Sequence, residues 1–72
     1  MDIRRQVGLN VRHLREERGW SQEELAFECQ LHRTYISGVE RGIRNPTVVV
    51  LKGIATALKV PPARLLDPVV RR

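Results

Sequence analysis

The residues of this chain that could do chemistry are mostly arginines. Thirteen of the 72 residues are Lys or Arg against eight Asp or Glu, which gives a formal net charge of +5, and all but Lys52 and Lys59 of the thirteen are arginine. A guanidinium group donates paired hydrogen bonds to a phosphate or to the edge of a guanine base. A charge of this size also serves ordinary solubility, so composition permits nucleic-acid binding but does not require it.

Other kinds of chemistry find little support in the sequence. The single cysteine, Cys29, excludes an intrachain disulfide, and with only His13 and His32 to join it the chain lacks a zinc ligand set. There is no nucleophile with an adjacent base, no phosphate-binding loop and no catalytic grouping of glutamates. We therefore expect a protein that is not an enzyme and that has no cofactor, no metal and no small-molecule ligand.

The length of the chain allows one small domain. A chain of 72 residues buries only a modest core, and we expect the domain at 1–67, followed by a tail at 68–72. The longest apolar run, residues 48–51, is far shorter than the about 18 residues of a membrane-spanning helix. The first five residues also lack the apolar stretch of a signal peptide. We expect a cytoplasmic protein.

Apolar spacing predicts five helices and no strand. In the first helix, Ile3, Val7, Val11 and Leu14 recur at intervals of three and four residues and define one face. Glycine and proline residues mark the ends of most of the predicted segments. The predicted helices are 3–18, 22–29, 33–41, 48–58 and a short last helix at 62–66.

The start of the second helix carries the strongest local signal. Ser21 and Glu24 have the spacing of a capping box, and Trp20 and Leu25 have that of a hydrophobic staple. Similar but simpler caps are predicted at the first and fourth helices, from Asp2 and Thr47.

Residues 22–41 have the pattern of two helices that cross closely after a short turn. Such a crossing accepts only a small side chain, which Ala26 supplies, and Leu31 provides an apolar plug for the turn. Ile36 and Val39 then seal the second helix onto the core. This pattern indicates a helix-turn-helix, in which the second helix protrudes far enough to enter a DNA major groove.

The chain resembles the Cro/lambda-repressor-like helix-turn-helix regulators over roughly residues 3–67. Residues 33–41 also resemble the third helix of restriction-modification controller proteins, which are small homodimeric members of that family. The residues that match are Val7-Gly8, Val11, Leu14-Arg15, Ser21-Gln22-Glu23-Glu24-Leu25-Ala26, Ile36-Ser37, Glu40-Arg41-Gly42, Asn45-Pro46-Thr47 and Leu51, Ile54-Ala55, Ala57-Leu58. The resemblance implies a compact all-α DNA-binding domain of five helices.

The resemblance also implies two structural features. Arg15 and Glu40 match a pair that the family joins in a partly buried salt bridge. Gln30 and Lys59 stand where the family usually has glycine in a left-handed conformation, at a cost of roughly 1 kcal/mol for a residue with a side chain.

Contacts to base edges are expected from the outward face of the third helix. Arg33 is the strongest candidate, because arginine bidentate to guanine is the commonest specific contact. Thr34 and Ser37 are further candidates, and the alternative for Ser37 is plain solvation. Gly38 allows either close approach of the backbone to DNA or packing room for a neighbouring side chain.

Contacts to phosphates are expected around both ends of the helix-turn-helix. Gln22 lies at the positive start of the second helix. For His32 the alternative is a weak helix cap, and for Tyr35 it is packing under the following loop. The phosphate candidates are Gln22, His32, Tyr35, Arg41, Arg44 and Asn45.

The sequence thus predicts a transcriptional regulator that binds a pseudo-palindromic operator as a homodimer, with half-sites ~34 Å apart. Phe27 stands where the family is usually polar, as a partly exposed aromatic or as part of an interface. Two alternatives stay open: an antitoxin-like protein-interaction module, and the DNA-binding portion of a longer regulator. The predicted dimer surface consists of Val49, Val50, Leu66, Val69 and Val70.

Overall fold

A computed structural model describes residues 1–69 of the chain, and this part contains helices but no strand. The all-α fold class is therefore confirmed. The fifth predicted helix is a 3₁₀ helix, because a five-residue segment that opens on prolines is too short for a regular α-helix. The elements are α1 (Ile3–Glu17), α2 (Gln22–Glu28), α3 (Arg33–Glu40), α4 (Val48–Leu58) and the 3₁₀ helix (Pro62–Leu66).

The predicted helix starts are confirmed. Asp2 accepts a hydrogen bond from the Arg4 amide at 2.8 Å, and Thr47 Oγ1 accepts one from the Val50 amide at 3.1 Å. In the capping box, the Glu24 amide donates to Ser21 Oγ at 3.0 Å while the Ser21 amide donates to the Glu24 carboxylate at 2.8 Å. These bonds satisfy amides that the helices themselves leave unpaired.

One core receives side chains from all five elements. The largest side chains that are completely excluded from solvent are Val11, Leu25, Ile36, Val39, Ile54 and Leu65. The inner face of α3, the second helix of the helix-turn-helix, packs against this core. No helix within residues 1–69 has the length and apolarity to span a membrane.

Three apolar residues lie farther out than the core. Ile3 is 53% exposed, because the first turn of α1 places it beside Leu66 at the rim of the core. Trp20 and Cys29 are half-buried and pack against the core from outside. Partial burial raises the pKa of the Cys29 thiol, which donates to the Leu25 carbonyl.

Gly8 allows α1 to lie directly on the end of α3. A Cβ atom at this position would stand 2.6 Å from the Glu40 carbonyl oxygen and would also overlap the Val39 carbonyl oxygen. Because neither backbone atom can yield, any larger residue would separate the two helices.

Asn10 ties the 3₁₀ helix to α1, a contact that the sequence did not predict. Its buried side-chain amide donates to the carbonyl oxygens of Leu65 at 2.9 Å and Asp67 at 2.8 Å. Gln6, one turn earlier, donates to the Leu66 carbonyl at 2.8 Å. Two amides of one helix therefore satisfy the carbonyls of a short element that has few internal hydrogen bonds.

The two predicted left-handed positions are confirmed. Gln30 has φ of 58° in the turn between α2 and α3, and Lys59 has φ of 59° after α4. The chain thus keeps the left-handed conformation at both positions without glycine, although an L-residue is strained there.

Candidate nucleic-acid interface

The two central helices form the predicted helix-turn-helix. The turn is closed by a hydrogen bond of 2.9 Å from the Leu31 amide to the Ala26 carbonyl. Ala26 is buried at the crossing, and Leu31 packs half-buried against the core. The small residue and the apolar plug therefore have the positions that the sequence pattern requires.

The second helix of this motif, α3, has two unlike faces. Ile36 and Val39 are completely buried, whereas Arg33 and Thr34 at its start are exposed. Tyr35 is half-buried. The buried face fixes the orientation of the helix, and the exposed start can therefore present side chains to a ligand without any rearrangement of the core.

The loop after α3 folds back over that helix. The amides of Ile43 and Arg44 donate to the Gly38 carbonyl oxygen at 2.9 and 3.2 Å. The Arg44 guanidinium lies over the Tyr35 ring, with 5.7 Å between the guanidinium carbon and the ring centroid. Gly38 itself is buried beneath the Arg44 side chain.

The remaining predicted contact residues surround this surface. Arg41 and Asn45 are exposed, and Ser37 is half-buried. His32 is the N-cap residue of α3, but its side chain makes no capping hydrogen bond, so the imidazole projects from an exposed position at the start of the helix.

A buried ion pair joins α1 to α3 behind this surface. Arg15 donates to the two carboxylate oxygens of Glu40 at 2.7 and 3.1 Å, and it also donates to the Trp20 carbonyl at 2.7 Å. The hydrogen bonds to Glu40 raise the pKa of the Arg15 guanidinium. The pair that the family resemblance implied is thus present, and it connects α1 to the end of α3.

Gln22 takes part in the same network. Its side-chain amide donates to the Glu40 carboxylate at 3.0 Å, which links the start of α2 to α3. An amide nitrogen carries two N–H groups, so the second can still reach a phosphate. The predicted phosphate role of Gln22 therefore stays a prediction beside an observed structural one.

Three of the predicted dimer residues border different surface grooves. Val49 lines a groove with Cys29 and Lys52, Leu66 lies with Ile3 and Leu51, and Val69 borders a third cleft on α1. Val50 is half-buried, and Val70 lies outside the described residues. Val48, next to the cap residue Thr47 at the start of α4, is 80% exposed.

Within residues 1–69 no cluster of His, Cys, Asp or Glu could hold a metal ion. The arrangement that the structure offers is a rigid helix pair with arginines on its outer helix and loop. This fold and surface define a DNA-binding protein of the helix-turn-helix class.

Comparison with known proteins agrees with this assignment. The model of the helix-turn-helix family HTH_3 matches residues 11–65, and the chain belongs to that family. Control protein C.BamHI of Bacillus amyloliquefaciens is 51% identical over 67 residues, which cover 92% of this chain and 83% of the relative.

Solved structures of controller proteins share the fold. The restriction-modification controller protein C.AhdI from Aeromonas hydrophila is 45% identical with a TM-score of 0.84, over 86% of this chain and 94% of that one. The controller protein C.Esp1396I, solved as a tetramer in complex with its natural 35 base-pair operator, is 37% identical with a TM-score of 0.82, over 90% of this chain and 86% of that one.

Proposed function

We propose that this protein is a cytoplasmic transcriptional regulator, not an enzyme, that binds a pseudo-palindromic operator as a homodimer. The observation that carries the proposal is the two-faced helix α3, with Ile36 and Val39 completely buried and Arg33 exposed at its start. Such a helix can enter the major groove while its inner face stays in the core.

Two copies are needed to read two half-sites. The described part of the chain measures 29 Å along its longest axis and carries one recognition helix. Half-sites on one face of DNA are ~34 Å apart, so one copy cannot occupy both. The related C.Esp1396I was solved as a tetramer on its operator, which supports an oligomeric mode of binding here.

The contacts divide into base readout and phosphate binding. Arg33 and Thr34, with Ser37 behind them, face the base edges in this proposal, whereas Gly38 lies buried beneath the Arg44 side chain. Phosphate contacts come from the helix ends and the loop, where a basic side chain neutralises backbone charge without reading sequence. These phosphate contacts are Gln22, His32, Tyr35, Arg41, Arg44 and Asn45.

Selection from a random DNA pool, read by sequencing, tests the function directly. A two-fold symmetric motif is expected, because each subunit of a homodimer reads the same half-site. A single asymmetric motif would contradict the homodimer but keep DNA binding. An unenriched pool would contradict DNA binding itself.

The dimer surface that we propose combines the exposed start of α4 with the C-terminal segment, through Val49, Val50, Leu66, Val69 and Val70.

Val49→Asp places a charge on this surface and leaves the fold intact, since the residue is 78% exposed and an acid is favourable in the first turn of a helix. Sedimentation analysis should then detect monomers. Phe27→Asp, on α2, is the matched control and should stay dimeric; a dimeric Val49→Asp protein would contradict this surface.

A protein-interaction module is the second candidate, and Phe27 favours it. This side chain is 80% exposed and borders a surface groove with Glu23, Glu24 and Glu28. An exposed aromatic among acids suits a basic protein partner. In that case Arg33→Ala and Arg44→Ala would leave the function in cells intact, whereas both would impair an operator-binding regulator.

A further inference from the structure

Gly38 has an unusual environment for a glycine inside a helix. A Cβ atom at this position would stand 2.6 Å from Cγ of Arg44, 3.4 Å from its Nε and 3.5 Å from its Cδ. The aliphatic stem of Arg44 therefore occupies the space where any other residue would place its side chain. The three nearest heavy atoms outside the backbone of α3 all belong to that one flexible side chain.

Further contacts hold Arg44 in this place. Both the Arg44 amide and the preceding amide of Ile43 donate to the Gly38 carbonyl oxygen, which brings the start of the side chain to the helix. At the other end of the side chain, the guanidinium rests over the Tyr35 ring. Tyr35 and Gly38 are three residues apart, so they are neighbours on one face of α3.

We propose that Gly38 is a positioning residue for DNA recognition, which acts by letting Arg44 lie across α3 with its charge held over Tyr35. The proposal rests on the DNA-binding function proposed above. A long side chain that is ordered before binding loses less conformational entropy when it meets a phosphate. Gly38 thus contributes to binding through Arg44, and its lack of a side chain provides the packing room that Arg44 requires.

The proposal separates stability from binding in the variant Gly38→Ala. Alanine is a better helix former than glycine, and rotation about the Arg44 Cα–Cβ bond moves Cγ of Arg44 away from the added methyl group. The melting temperature should therefore be unchanged or higher. Affinity for the selected operator should fall by roughly ten-fold, and the slope of log K against log salt should become shallower by about one unit per subunit, since the displaced Arg44 of each subunit loses its phosphate contact.

A double-mutant cycle with Arg44→Ala tests whether the effect passes through Arg44. Arg44→Ala alone should lose a similar affinity, and adding Gly38→Ala to it should cost nothing more. Gly53→Ala is the matched control, because a Cβ atom at this glycine in α4 would meet nothing within 4 Å. It should raise the melting temperature and leave DNA affinity unchanged.

Two outcomes of this cycle would overturn the proposal. One is a Gly38→Ala protein with the affinity of the parent. The other is an equal loss of affinity in the presence and in the absence of Arg44, which would mean that Gly38 meets the DNA on its own account. A parent chain that enriches no DNA would instead overturn the proposed function.

A measurement without DNA keeps the proposal testable if a variant folds poorly. In the NMR spectrum of the free parent protein, the side-chain protons of Arg44 should be shifted by the ring current of Tyr35. The shift should vanish in Gly38→Ala. Arg44 protons at unstructured values in the parent protein would overturn the proposal.

Discussion

Arg15 and Arg44 show how one side chain serves two purposes in the same small protein. Arg15 is nine-tenths buried, and its guanidinium lies between the Glu40 carboxylate and a backbone carbonyl. Arg44 is exposed, and within the described residues no carboxylate lies within ion-pair distance of it. One charge is neutralised inside the fold, whereas the other stays available to an anion.

The two arginines differ in how strongly their removal would affect the stability of the fold. A buried ion pair has given up its water, so removal of one partner leaves the other charge without solvation. An exposed arginine keeps its water, and its removal costs the fold little. We therefore expect substitutions behind α3 to change stability and substitutions on its outer side to change DNA binding.

The largest effect is expected from Arg15→Ala. The substitution leaves Glu40, whose side chain is 3% exposed, without its cation, at a cost of about 3–5 kcal/mol in the free energy of unfolding. Thermal denaturation followed by circular dichroism measures it. Arg12→Ala is the control, since the Arg12–Glu16 pair is exposed and such pairs contribute about 0.3–0.5 kcal/mol. Equal stability of the two variants would remove the distinction between buried and exposed arginines.

Arg33→Ala should give the next largest effect. This substitution should change DNA affinity and not the stability of the fold. If Arg33 reads a guanine, its loss costs about 1–3 kcal/mol of affinity and relaxes specificity at one base pair of each half-site. The melting temperature should stay that of the parent because the side chain is exposed. Repeating the DNA selection with the variant measures the specificity; uniform weakening on all sequences would make Arg33 a phosphate contact.

Arg44→Ala should weaken binding to all sequences alike, by roughly ten-fold at low salt, and should lower the salt slope by about one unit per subunit. Fluorescence anisotropy at a series of salt concentrations provides both numbers. Arg12→Ala again serves as the control, since it removes the same charge from α1. A slope equal to that of the parent would exclude Arg44 from the phosphate contacts.

The smallest effect on stability is expected at Lys59, which lies outside the regions of Arg15 and Arg44. Lys59 has a left-handed backbone, so Lys59→Gly should relieve strain and raise stability by about 1 kcal/mol. Lys52→Gly, the same change in the interior of α4, should lower it by about 1 kcal/mol. Urea denaturation compares the two, and stability changes of the same sign would contradict the strain at Lys59. Neither variant should alter DNA specificity.

Local sequence patterns were sufficient for much of the fold. The left-handed positions at Gln30 and Lys59 were implied by the family resemblance. The capping box at Ser21 and the caps at Asp2 and Thr47 involve only neighbours within a few residues. Such features depend on short-range hydrogen bonds and backbone sterics, which a sequence states directly. The same patterns misplaced Ile3, since periodicity identifies a helix face but not where the covering elements end.

The arginines show how much of the candidate DNA-binding site could be predicted from the sequence. The motif of residues 22–41 indicated which helix faces outward, and the resemblance to helix-turn-helix regulators pointed to Arg33 and Arg44. Neither could show that Arg44 lies over Gly38, because that contact depends on how the loop returns to α3. The sequence left two interpretations of Gly38 open, and the loop geometry favours packing room for a neighbouring side chain.

The sequence by itself determined the helices, their starts and the helix-turn-helix, because these follow from spacing and chemistry within about one turn of the chain. Only the tertiary structure decided which polar groups meet across long separations. Asn10 binds carbonyls 55 and 57 residues away, and Gln22 binds Glu40 across 18 residues. Such contacts depend on how the helices pack. That packing is a property of the whole core, and no single segment contains it.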